Sequence, residues 1–107
     1  MDLTAIRQRY LQEHFPKRLA ALAANLARIS SFSKRGQNID LIKNLIRESE
    51  YFIEWTASEA PFNLQVKLVD LQIRLARWLW RLEQGGNGFD QLAEEFETSS
   101  EEMLAAV

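Results

Sequence analysis

Apolar side chains recur at helical spacing along almost the whole chain, most densely from Phe62 to Leu82. There, Leu64, Leu68, Leu71, Leu75, Trp78 and Leu82 follow one alternation of four- and three-residue steps, and Phe62, Val66, Val69, Ile73, Ala76 and Trp80 follow another. At about 100° per residue, the two-residue offset sets these seams nearly opposite each other on one helix. A charged ladder, Lys67, Asp70, Arg74, Arg77 and Arg81, runs down the flank between them. A helix apolar on two sides is expected to sit centrally or to share a side with another chain. The segments 16–30 and 39–57 are the expected covers for its two seams.

Elsewhere the pattern changes phase at identifiable residues. Leu3, Ile6 and Tyr10 lie on one helical face, and Phe15, Leu19, Leu22, Leu26 and Ile29 on a rotated one. The change falls at Pro16, which disfavours helix in the residue before it and starts a new helix readily. Alanines at 20, 21, 23, 24 and 27 favour helix and admit a closely packed neighbour. Ser30 to Asn38 reads as a loop, with Asn38 as N-cap of the next helix and Asp40 in its first turn. Ile39, Leu41, Ile42, Leu45, Ile46, Phe52 and Ile53 fall in one broad stripe, the expected buried face of that helix. Ser58 to Pro61 makes a corner, and the run from Gln84 to Gly88 stops the two-seamed helix. Phe89, Leu92, Ala93 and Phe96 mark a short amphipathic helix, and Thr98-Ser99-Ser100 begins a last turn at capping-box spacing to Glu102.

Strand signals are nearly absent. The expected fold is all-α, an antiparallel helical bundle of three long helices with short N- and C-terminal helices. Residues 1–88 form the bundle, and residues 89–107 form a short acidic helical appendage on or near it.

Charge reinforces that division. All 13 basic residues precede Gly85, with 9 acidic ones, so residues 1–88 carry +4; the last 19 residues carry −6. A contact between this acidic segment and Lys67, Arg74, Arg77 and Arg81 is the simplest use of the asymmetry. The chain has no cysteine, which excludes disulfides and thiolate metal sites and suits a reducing compartment. Its first residues lack the apolar run of a signal peptide, and no stretch reaches the ~20 apolar residues that span a bilayer. The expectation is a cytoplasmic protein without membrane contact.

Catalytic chemistry finds little support in the residues. His14, the one histidine, lacks the Glu-x-x-His spacing of helical metal sites, since position 11 is Leu, and Pro16 breaks the regular helix a phosphoacceptor would occupy. Glu48, Glu50, Glu54 and Glu59 share their region with Lys43 and Arg47 and read as a solvated ladder. Gly85-Gly86-Asn87-Gly88 follows a helix and lacks the Lys-Ser/Thr of a phosphate loop. No cofactor is implied. Tyr51 and Trp55, one turn apart and turned away from the Ile42/Ile46/Ile53 stripe, are better candidates as contact anchors, together with Trp78 and Trp80. The competing expectation is that Phe89 and Phe96 cover them.

Leu92 to Leu104 resembles the two helices and turn of a helix-turn-helix. Glu97 stands where that motif favours glycine, and its second helix would carry Glu101 and Glu102 but no basic residue. The resemblance therefore implies a helical appendage more than a DNA reader. Taken together, the sequence points to a non-catalytic interaction or adaptor module with a protein partner, a second copy included. The alternative is a regulatory nucleic-acid-binding protein that uses the basic ladder and is modulated by the acidic segment.

Overall fold

The computed structural model describes residues 2–107, and every regular element in them is helical. Asp2 begins the first helix, α1 (Leu3–Gln12), by accepting from the Ala5 amide at 3.2 Å. Glu13 and His14 are extended, and Pro16 lies in the first turn of α2 (Phe15–Arg35). The break thus falls where proline demands it.

α2 runs on through the serines expected to form a loop and ends at Gly36, which takes the left-handed conformation at φ 62°. Two of these serines have partners that make helix and burial compatible. Ser33 donates to the Ile29 carbonyl one turn back at 2.6 Å, and Ser30 donates to the Ala93 carbonyl of another helix at 2.6 Å. Their hydroxyls replace the side-chain bulk that would hold that helix away.

After the reversal comes α3 (Ile39–Thr56), followed by a 3-10 turn (Ala57–Glu59) and Pro61 at the start of α4 (Phe62–Glu83). Asn38 holds the N-cap position at φ 60°, but its side chain makes no capping hydrogen bond. Ile42, Leu45, Ile46, Phe52 and Ile53 are buried as their stripe implies, whereas Ile39 and Leu41, in the first turn, stay exposed. α4 closes with the Gly86 amide on the Arg81 carbonyl at 2.9 Å. A side chain at Gly86 would meet that carbonyl oxygen at 2.8 Å, so the turn requires glycine.

α5 (Phe89–Ala105) corrects the expected C-terminal appendage. It is one uninterrupted helix of 17 residues through Thr98-Ser99-Ser100, with no turn of a helix-turn-helix in it. Leu92, Phe96 and Met103 lie in the same core as Leu19, Leu22, Leu26 and Ile29. α5 packs along α2, and the hydrogen bonds Ser30 to Ala93 and Ser100 to Ala23 show that the two run antiparallel. Four helices are long rather than three.

The principal pairings are α5 with α2, α2 with α3, and α3 with α4. α2 and α3 therefore lie between α5 and α4 in this series, and α4 is not the central helix its two seams suggested. One α4 seam, Leu64, Leu68, Leu71, Leu75, Trp78 and Leu82, enters the core; the other does not. No helix among the described residues is long and apolar enough to cross a membrane.

Candidate interaction surface

The uncovered seam carries five of the large apolar side chains that are exposed among the described residues. Phe62 is 80% exposed, Trp80 66%, Val69 55%, Val66 54% and Ile73 48%, and Ala76 between them is also exposed. At 1.5 Å per residue these positions span about 27 Å of one straight helix. Scattered apolar residues are ordinary on a surface, whereas these follow one another along a single helix face. Ile73, Ala76, Arg77, Trp80 and Arg81 line a shallow depression near its C-terminal end.

The basic ladder beside it divides between the fold and the solvent. Arg74 joins α4 to α5: its Nε donates to Asp70 at 2.9 Å and its terminal nitrogen to Ser99 at 2.8 Å, with Glu95 at 3.6 Å. Arg81 covers the Trp78 ring, its guanidinium carbon 4.4 Å from the centroid. Trp78 in turn donates its indole N–H to Glu95 at 3.1 Å and is buried, so it is not part of the outer surface. Lys67, Arg77 and Arg81 make no ion pair among the described residues. Of the ladder only Arg74 thus meets the acidic helix, which Lys34 of α2 also pairs with, 3.1 Å from Glu97.

Tyr51 and Trp55 are half-buried and stack on each other with centroids 5.6 Å apart. The aromatic ring against Trp55 comes from α1: Tyr10 lies 5.9 Å from Trp55 and 4.1 Å from Phe52, while Phe96 is fully buried in the core. Beneath this aromatic group lies a polar cluster that spacing alone did not reveal. The Tyr10 hydroxyl donates to the Arg18 carbonyl at 3.0 Å and pairs with the Thr56 hydroxyl at 2.9 Å. Burial raises the Tyr10 phenol to about 12. The buried Arg18 guanidinium grips the carboxylate of Glu59 through both terminal nitrogens, and this hydrogen bonding holds Glu59 below the usual carboxylate range. The pair has the form of a structural clasp, since Arg18 is buried and joins α2 to the 3-10 turn after α3.

At the α3–α4 contact, Gln72 donates to the Glu50 carbonyl at 3.2 Å. Glu50 has one carboxylate oxygen buried without a partner, and desolvation pushes its carboxyl above the usual value. His14 is exposed at the start of α2. Among the described residues, no three His, Cys, Asp or Glu side chains gather where they could hold a metal ion. The grooves between α4 and α5 are lined by mixed charge, with Arg74, Gln91 and Glu95 shared by two of them. Comparison with protein-family models, curated proteins and solved structures finds no match.

Proposed function

We propose that the protein is a non-catalytic interaction module whose working surface is the outer face of α4. The observation that carries this reading is the uncovered seam of Phe62, Val66, Val69, Ile73 and Trp80 on a helix whose opposite seam is anchored in the core. Holding such a strip on a fixed helix lowers the ordering cost of docking, and Trp80 and Phe62 supply large, stiff contact area. A cytoplasmic setting suits a chain without cysteine. The nucleic-acid alternative draws less support, because Arg74, the middle of the basic ladder, is engaged with Asp70, Ser99 and Glu95.

The test replaces Val69 and Ile73 together by aspartate. The variant is expected to keep the helical circular dichroism and cooperative melt of the parent, and to lose the cross-linked complexes that the parent forms in its own cells. A variant that unfolds would make the seam part of the folding core, and a variant with the parent's full set of complexes would place the contact elsewhere.

A further inference from the structure

We infer that α1 is a detachable strap: it lifts from the bundle as one unit, hinged at Glu13 and His14, while α2 to α5 stay folded, and its release bares the face of Phe52 against which the Tyr10 ring lies. The strap lies apart from the outer face of α4, and its release does not depend on what that face does.

α1 contributes little to the core. Of its 10 residues only Tyr10 is buried, whereas each of the other four α-helices buries six or more. Ile6 packs against the core from a half-buried position, and Arg7, Gln8, Arg9, Leu11 and Gln12 are exposed. Isolated helices shorter than about 12–15 residues are marginal in water, so α1 keeps its shape only while docked.

Its attachment is concentrated in one side chain. Among the described residues, every hydrogen bond between α1 and another element passes through the Tyr10 hydroxyl, which meets the Arg18 carbonyl at 3.0 Å and the Thr56 hydroxyl at 2.9 Å. The Tyr10 ring stacks on Phe52, with planes 9° from parallel and centroids 4.1 Å apart. Arg7 and Arg9 make no ion pair among the described residues. When this one anchor lets go, little else holds the helix.

What α1 leaves behind is complete without it. Glu13 and His14 are extended and exposed, and α2 starts by itself at Phe15-Pro16, where proline has no amide to satisfy. The Arg18–Glu59 clasp contains no residue of α1 and still ties α2 to the turn after α3. The α2–α5, α2–α3 and α3–α4 pairings also contain nothing from α1. Units with so few buried contacts open at a lower free energy than the whole fold.

The experiment is native-state hydrogen exchange of the full chain, read residue by residue by NMR with and without sub-denaturing urea. The amides of Arg7 to Gln12 are expected to share one opening and to exchange at least ~tenfold faster than amides in the middle of α2 and α5. Their rates are expected to change little with urea, because undocking one short helix exposes little surface. In Tyr10→Ala these amides are expected to lose their protection while the rest of the chain keeps a cooperative melt. Protection in α2 to α5 should then fall by no more than the factor that α1 shows in the parent. Exchange of α1 at the rate and urea dependence of α2 and α5 overturns the strap, and so does a Tyr10→Ala chain that fails to fold, because either result makes α1 part of the cooperative core. Protection that climbs along α1 to the level of the core at Tyr10 also overturns it, in favour of fraying from the first turn.

Discussion

The hydroxyl of Tyr10 stands 2.9 Å from that of Thr56, a residue 46 positions away, and thereby fastens α1 to the end of α3. Because the same phenol donates to the Arg18 carbonyl, the Thr56 hydroxyl is the donor in their pair. Tyr10→Phe keeps the ring stacked on Phe52 but strands both partners. The expected cost is about 1–3 kcal/mol, or ~4–8 °C in melting temperature per kcal/mol for a chain of this size. Wild-type stability should also fall in strong alkali. A phenol raised to about 12 from its ordinary 10 supports the fold fully below pH 10, and that support is lost as pH rises through 12. Thermal melts of both proteins at pH 7, with phenol absorbance followed in alkali, check both statements.

Arg18 and Glu59 give the opposite pH dependence. Glu59 is held below its ordinary range by the Arg18 hydrogen bonds, so its contribution is present above the unfolded value of about 4.3 and is lost as pH falls through the lowered one. Glu59→Gln should lower the urea midpoint at pH 7, and the gap to wild type should close in acid. A gap that persists at pH 2 would mean that the clasp works by packing alone.

Glu50 should behave in the contrary sense. Its carboxyl is raised chiefly by burial, so its ionisation weighs against the folded state as pH rises through the raised value. Glu50→Gln removes that burden while keeping the shape. The variant is expected to melt higher than wild type at pH 7 and equally at pH 3; a lower melting temperature at neutral pH would show that the carboxylate has a partner worth more than its desolvation.

The two seams of α4 offer the sharpest contrast. Leu71 is fully buried and Ile73, two residues on, is 48% exposed. Leu71→Ala should cost about 2–5 kcal/mol, and Ile73→Ala should stay within ~0.5 kcal/mol in dilute solution. Urea titrations at low micromolar protein separate the two directly.

That contrast also marks what the sequence could and could not disclose. Both seams are apolar throughout and share the same four-three spacing, so periodicity reveals two apolar faces without saying which the chain itself covers. Local signals at Pro16 and Gly85–Gly86 were legible because one residue's geometry decides each break, whereas the end of α2 at Gly36 was hidden behind serines whose partners lie within and beyond the helix. The continuity of α5 was not, because it depends on distant partners. Thr98 and Ser99 bond back to the Glu94 and Glu95 carbonyls within the helix, but Ser100 is satisfied by Ala23, 77 residues earlier. The aromatic neighbour of Trp55 is similarly remote, since it is Tyr10 once α1 has docked.

The position of α5 changes how the acidic segment must be tested. Read as an appendage, residues 89–107 could be deleted to ask whether they shield the basic ladder. In the structure the deletion removes Leu92, Phe96 and Met103 from the core and uncovers the side of α2 that carries Ala23 and Ser30. At about 1.5–3 kcal/mol per large apolar side chain, the loss is comparable to the whole stability of a small domain. A chain ending at Gly88 is therefore expected to lose its cooperative melt and to expose surface that binds hydrophobic dyes. Glu94→Gln/Glu97→Gln, which changes exposed charges and no buried contact, should melt within a few degrees of wild type and is the variant in which to measure salt-sensitive RNA or DNA binding. Cooperative unfolding of the truncated chain near the wild-type temperature would return α5 to the status of an appendage.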